Sequence, residues 1–171
     1  MPTMRVTRRL GLLTALEGDR AALAVGDAAA RHVRLTTEGL APHLADAPAG
    51  FVPWTRVHGL AIEAPTTWWP YPALGDTVGP ILEGLLGGGG SMLDASETPT
   101  FAVRLTTADG DRVEWRATQH HLSGYRRGDA RAALRLGEYL VAHPESRLLL
   151  ARPAELLDRV SALVRRGPIA E

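Results

Sequence analysis

The chain has 171 residues, of which 45% are hydrophobic, and 19 basic residues balance 19 acidic ones, so that its formal net charge is zero. This length and composition predict a globular chain with one hydrophobic core, and the missing basic excess argues against nucleic-acid binding, because phosphate contacts need Lys or Arg. All the basic residues are Arg and Cys is absent, which excludes a thiolate nucleophile, a disulfide, a zinc site built on Cys and a catalytic or P-loop lysine.

The same composition bears on source and location. The chain contains neither Lys nor Asn, a bias that is typical of a high-GC bacterial gene of the actinobacterial kind. Arg5, Arg8 and Arg9 precede a short apolar stretch that lacks the small-residue cleavage site of a signal peptide. No stretch approaches the ~18 apolar residues of a transmembrane helix, and the sequence therefore predicts a cytoplasmic protein.

In chain order, the first predicted element is a β-hairpin. Residues 9–16 and 21–25 are apolar and flank the turn signal Glu17-Gly18-Asp19, although their Ala and Leu content leaves a helix open as the alternative. A strand over residues 32–37 follows, and residues 39–44 are predicted to be its hairpin partner.

A bend and an insertion are predicted next. The spacing of apolar residues after Trp54 indicates a bend that leads into a strand ending near Glu63. Residues 64–99 differ in kind, because they combine an aromatic, Pro-rich loop, a short helix over residues 78–86 and a Gly-rich tether that begins at residues 87–90. This segment is predicted to be an insertion between two β-rich blocks.

The pentapeptide Val-Arg-Leu-Thr-Thr occurs twice, at residues 33–37 and again at residues 103–107. Its alternation and the glycine turn after each copy predict a strand that enters a hairpin, with the arginine facing solvent. Chance recurrence and duplication both stay open, because the chain is rich in these residue types. The second copy belongs to the clearest hairpin, in which residues 101–107 and Arg112–Thr118 flank Ala108-Asp109-Gly110.

The alternation in this hairpin also predicts which of its two faces is buried. One face, predicted to be buried, carries Phe101, Val103, Leu105 and Thr107 from the first arm with Val113, Trp115 and Ala117 from the second. The other face, predicted to be exposed, carries Arg112, Glu114 and Arg116.

Two helices are predicted to close the chain. The first begins at Gly128-Asp129, with Asp129 as its N-cap, and ends near Ala142. Residues 148–150 are predicted to be a short buried strand or turn, and the second helix begins at Pro153. The apolar faces are Ala130, Ala133, Leu134, Leu136, Leu140 and Val141 in the first helix, and Leu156, Leu157, Val160, Leu163 and Val164 in the second.

This order of elements predicts an α+β fold, with an antiparallel β-sheet or partly open barrel, two C-terminal helices and a Gly-rich insertion. The Trp54-Thr55-Arg56-Val57 bend, the hairpin over residues 103–115 and the helix over residues 129–140 resemble the bacterial pleckstrin-homology-like domain. The resemblance spans residues 10–142 and implies a binding or scaffolding role. The chain is predicted to be a single domain over residues 1–171, in which the β-rich core of residues 5–63 and 100–122 surrounds the insertion and residues 128–167 are helical.

The aromatic loop is the main candidate for a partner-binding site. Trp68, Trp69 and Tyr71 fall within four residues, and the neighbouring prolines stiffen that loop, which lowers the entropy cost of binding. Exposed Trp and Tyr side chains are typical anchors of protein interfaces and of the membrane surface. The alternative is that the loop folds inward as a lid over the β structure.

A second candidate is the basic cluster Arg126, Arg127, Arg131 and Arg135 at the start of the first helix. Arg131 and Arg135 are four residues apart and share one helix face. Such a cluster fits an anionic partner such as a phosphate, an acidic peptide or a lipid headgroup. The alternative is an ordinary solvated helix face, in which Arg127 lies near Asp129.

His120 and His121 are the candidates for a metal site. Adjacent strand residues point to opposite faces, so these histidines would need His32, His58, Asp111 or Glu114 to complete a site. The serines and paired carboxylates lie in no catalytic motif. The sequence therefore favours a non-enzymatic module, without cofactor, that binds a protein partner or itself. Its alternatives are a small metal-dependent enzyme and a peripheral membrane protein.

Overall fold

The structure is a computed structural model that describes residues 5–44, 47–48, 50–67 and 98–166. Antiparallel sheets and helices are combined in it, and the predicted α+β class is confirmed. The described strands are β1 Arg5–Leu10, β2 Leu13–Glu17, β3 Ala22–Gly26, β4 His32–Leu35, β5 Gly39–Leu44, β6 Ala47–Pro48, β7 Val52–Pro53, β8 Val57–Glu63, β9 Thr66–Thr67, β10 Thr100–Thr107, β11 Arg112–Thr118 and β12 Tyr125–Arg126. The helices are α1 Arg127–Ala142 and α2 Pro153–Arg166, and short 3₁₀ helices cover Trp54–Arg56 and Pro144–Ala151.

The first sheet is an antiparallel meander in the order β1-β2-β3-β4-β5-β6, with β7 paired to β5. One face carries the apolar residues of a common core, namely Leu13, Ala15, Leu23, Val25, Val33, Leu35 and Leu40, all of which are buried. Strands β2 and β3 form the predicted first hairpin, so these residues are strands and the helix alternative is wrong.

The N-terminal part of that hairpin differs from the prediction of one strand over residues 9–16. The chain reverses at Gly11, where Leu10 pairs with Leu13 across a two-residue turn. Gly11 has a positive φ of 55°, which a residue with a Cβ adopts at a cost. The sequence prediction failed because the apolar residues around Gly11 look like one uninterrupted strand.

The second sheet is antiparallel and has the order β11-β10-β8. The predicted faces are confirmed in part: Phe101, Val103, Leu105 and Thr107 are buried, and the face predicted to be exposed is exposed at Arg112, Glu114 and Arg116. Val113 and Trp115 are only half-buried, whereas Ala117 is fully buried. The described strands form separate sheets and not a closed barrel.

The predicted bend after residue 53 is confirmed and is built around Trp54. A 3₁₀ turn over Trp54–Arg56 precedes β8, and the buried Trp54 indole donates its Nε1–H to the carbonyl of Thr36 at 2.7 Å. The bend therefore ties the start of the second sheet to the β4–β5 turn of the first.

Helix α1 packs on β8 of the second sheet, where Gly137 lets the helix approach Leu60 closely. Its predicted end at Ala142 and its buried residues Ala133, Leu136 and Leu140 are confirmed. The prediction of Asp129 as N-cap is wrong, because the helix begins at Arg127 and its N-cap, Arg126, makes no side-chain capping bond.

Helix α2 packs on β1 and β2, and Arg8 of β1 forms an ion pair of 3.0 Å with Asp158. The predicted start at Pro153 is confirmed, but Leu163 is 65% exposed and does not belong to the core stripe. The prediction of a buried strand or turn over residues 148–150 is also wrong, since these residues lie in a 3₁₀ helix with only Leu150 buried. Among the described residues, no helix has the length and apolar character required to cross a membrane.

Candidate functional site

The predicted aromatic residues Trp68, Trp69 and Tyr71 lie outside the described residues, and so does the predicted helix over residues 78–86. The chain that leads to them is described. Strand β9 pairs in parallel with β12, and Thr67 is the partner of Arg126. Thr67 is the last described residue before the aromatic segment, and it lies beside the arginine that precedes α1.

Backbone geometry at Gly124 makes this pairing possible. Gly124 has a positive φ of 86°, and a Cβ there would lie 2.6 Å from the carbonyl oxygen of Pro65. The next residue, Tyr125, donates its backbone N–H to that same carbonyl at 2.9 Å. The Tyr125 side chain is buried against Phe101 and His120, which anchors β12.

Three arginines lie along one exposed side of α1. Arg127, Arg131 and Arg135 are spaced four residues apart, which places them on one face of the helix. Among the described residues, none of the three forms an ion pair or a side-chain hydrogen bond. We call these three residues the α1 arginine face; Arg126 is also exposed and adjoins it.

The one acidic residue in the first turn of α1, Asp129, faces inward. Its side chain is half-buried and packs on Gly11 of the β1–β2 turn. Burial raises the pKa of the Asp129 carboxyl, and the charge of Arg126 opposes that rise. The predicted proximity of Arg127 to Asp129 produces no ion pair, so the α1 arginine face keeps its positive charge.

The metal candidates His120 and His121 lie beyond the end of β11, in the connection to β12. The hydroxyl of Tyr125 accepts the backbone N–H of His120 at 2.9 Å and lies 3.0 Å from its Nδ1. Nε2 of the same ring is 3.5 Å from Oγ1 of Thr14. The hydroxyl oxygen already accepts one hydrogen bond and is well placed to donate its O–H to Nδ1. The ring proton of His120 is then on Nε2, which faces Thr14.

Burial, together with the charge of the nearby Arg9, lowers the pKa of His120 to about 4, and burial raises the pKa of Tyr125 to about 12. Both side chains are therefore neutral near pH 7. The His121 ring centre is 6.4 Å from that of His120. In the described part of the chain, no group of three or more His, Asp or Glu side chains is arranged to hold a metal ion.

No family model, no curated protein and no solved structure matches this chain. The resemblance to pleckstrin-homology-like domains therefore stays a prediction from the sequence. What the chain does has to follow from its own side chains and their positions.

A further polar cluster was not predicted from the sequence. His32 and His43 are cross-strand partners on β4 and β5, and their ring centres are 4.7 Å apart. Arg34 lies on the same face of β4 and donates its Nε–H to Nε2 of His32 at 3.1 Å. The signal was present in the predicted β4–β5 hairpin, whose period of two places these three side chains on one face once the register is known.

Proposed function

We propose that this chain is a non-enzymatic binding module that engages an acidic surface of a protein partner, or of a second copy of itself. The contact surface is the α1 arginine face together with the aromatic segment that follows Thr67. The observation that carries the proposal is the parallel pairing of Thr67 with Arg126, because it brings the last described residue before the aromatic segment beside the arginine that precedes α1.

The charge distribution around α1 supports an acidic partner. Arg127, Arg131 and Arg135 are exposed and unpaired within the described structure, while the nearby Asp129 is turned inward. Guanidinium groups bind carboxylates in bidentate geometry, and exposed charges of one sign accelerate and orient docking. Aromatic side chains next to such a patch would supply apolar contact area, which is where most binding energy is concentrated.

The proposal includes the pleckstrin-homology-like architecture and the cytoplasmic location that the sequence predicts. Two antiparallel sheets followed by a helix that packs on the second sheet support the first. In this arrangement the sheets support α1, which presents the α1 arginine face on its exposed side.

The charge half of the surface is tested by the double variant Arg127→Glu with Arg131→Glu. Negative residues at a helix start interact favourably with its dipole, so the variant is expected to stay folded. The matched control is Arg159→Glu on α2, which is also exposed and unpaired within the described structure. Association is measured as self-association by sedimentation velocity and as recovery of proteins from extracts of the source organism.

We expect wild type and Arg159→Glu to associate in a salt-sensitive manner and the double variant to lose that association. The aromatic half is tested in the same assays by Trp68→Ala with Trp69→Ala. Equal association of the double arginine variant and the control would contradict the proposal. Binding to anionic vesicles in the absence of any protein association would contradict it as well, in favour of the membrane alternative.

A further inference from the structure

The two copies of the pentapeptide place identical arginines in opposite electrostatic surroundings. Arg104, in the second copy, is exposed and forms ion pairs with Glu63 on β8 and Glu114 on β11. Arg34, in the first copy, forms no ion pair with any described residue. The prediction that both arginines face solvent is also wrong for Arg34, which is half-buried.

The partner of Arg34 is a neutral histidine. Nδ1 of His32 lies 3.0 Å from the carbonyl oxygen of Ala30, which can only accept, so the ring proton is on Nδ1. Nε2 then carries a lone pair and accepts the Nε–H of Arg34 at 3.1 Å. His32 is only 1% exposed, and burial lowers its pKa to about 4, so it contributes no charge near pH 7.

The hydrogen bond to His32 uses one of the five donors of the Arg34 guanidinium. Within the described structure, the two terminal amino groups of Arg34 have no hydrogen-bond partner. The ladder neighbours of Arg34 are Ala24 on β3 and Ala41 on β5. Neither of these neighbours carries a charge or a side-chain hydrogen-bond acceptor that could pair with the guanidinium.

A half-buried guanidinium without a counter-charge is costly. Burial lowers the pKa of Arg34, and the positive charge of Arg20 lowers it further. The His43 ring stands beside His32, and its pKa is lowered by burial and then by the charge of Arg34. The charges of Arg20 and Arg34 thus repel each other, the His43 ring lies close enough to feel Arg34, and Arg34 has no ion pair with a described residue. An anion would relieve this repulsion.

We propose that Arg34, Arg20 and His43 form an oxyanion-binding site that takes the phosphate group of a small molecule. The terminal amino groups of Arg34 provide a paired donor set that matches two phosphate oxygens. Arg20 supplies a second positive charge, as suits a dianion, and the His43 ring supplies a further polar contact. The site lies on the first sheet and is independent of the α1 arginine face.

The probe is inorganic phosphate, added at constant ionic strength and constant near-neutral pH. Binding is followed by calorimetry and by the imidazole NMR signals of His32 and His43. We expect saturable binding in the wild type, weakened by about 10-fold or more in Arg34→Gln, because a charged hydrogen-bonding group is lost. Arg34→Lys keeps the charge without the paired donors and is expected to bind with intermediate affinity.

Arg104→Gln is the matched control, since it removes the same residue from the other copy of the pentapeptide and is expected to bind phosphate like wild type. If Arg34→Gln does not fold, Arg20→Gln tests the site from an exposed position, with an expected loss of about threefold. Non-saturable binding, or equal losses in Arg34→Gln and Arg104→Gln, would overturn the proposal. Acetate bound as tightly as phosphate would overturn the assignment of a phosphate group.

Discussion

The guanidinium carbon of Arg147 lies 4.9 Å from the centre of the Trp54 ring. The same guanidinium donates to the carbonyl oxygens of Leu140 at 2.8 Å and Val141 at 2.9 Å, at the end of α1. Because they belong to the last turn, no backbone N–H within the helix is available to bond to these carbonyls. Arg147 therefore closes the end of α1 and covers the residue that joins the two sheets.

Replacing Arg147 with Ala removes a cation–π contact and two charge-assisted hydrogen bonds. We expect Arg147→Ala to lower the free energy of unfolding by about 2 kcal/mol, as measured by urea denaturation. Arg159→Ala removes an arginine that makes no side-chain hydrogen bond or ion pair within the described structure, and it is expected to change stability little. Equal effects of the two substitutions would show that Arg147 does not stabilise this junction.

The buried His32 and the half-buried His120 make stability depend on pH with a definite sign. Burial lowers the pKa values of both His32 and His120 from 6.5 to about 4, so between these values the unfolded chain binds more protons than the folded one. Their contribution to the free energy of unfolding is fully present above about pH 6.5 and is lost as the pH falls toward 4. The slope is at most about 1.4 kcal/mol per pH unit for each histidine.

Urea denaturation between pH 4.5 and 7.5 checks this dependence, with His120→Asn as the test and the exposed His58→Asn as the control. We expect the loss of stability toward low pH to be shallower in His120→Asn than in wild type, and unchanged in His58→Asn. Comparison between variants cancels the opposing effect of Asp129, whose pKa is raised. An unchanged slope in His120→Asn would refute the role of its burial.

The turn at Gly11 predicts a difference between two glycine substitutions. Gly11→Ala must adopt a positive φ and also place a Cβ 2.6 Å from Cβ of Asp129. Gly110→Ala carries only the cost of the positive φ, since Gly110 has a φ of 87° but open space around it. We expect about 1 kcal/mol of destabilisation for Gly110→Ala and about 1–3 kcal/mol more for Gly11→Ala. Chemical denaturation that finds the two equal would contradict the packing of α1 on this turn.

The sequence predicts the second sheet well because its pattern is local. Residues 101–107 and 112–118 alternate cleanly around a glycine turn, and both their pairing and their faces follow from that alternation. The first two strands were harder to predict, because Gly11 lies within a run of apolar residues that is compatible with one continuous strand and also with a turn. Asp129 has the composition of an N-cap, but the pairing of β12 with β9 moves the helix start upstream and packing on Gly11 turns the carboxylate inward.

The candidate sites could also be predicted only in part from the sequence. Adjacent arginines and their helical spacing are visible in the sequence, so the α1 arginine face could be predicted. The lack of an ion pair at Arg34 could not be predicted, because Arg104 belongs to the same pentapeptide. The register of the neighbouring strands decides between them: β8 and β11 bring glutamates to Arg104, whereas β3 and β5 bring alanines to Arg34.

The central claim, that a protein partner covers the α1 arginine face, can be measured directly because the chain contains no Cys. A single Arg131→Cys substitution places one thiol on that face, and Arg112→Cys places one on an exposed end of β11. Maleimide labelling rates are compared between dilute purified protein and extracts of the source organism. Slower labelling of Arg131→Cys alone in the extract is the predicted result, and equal rates for both variants under both conditions would contradict the claim.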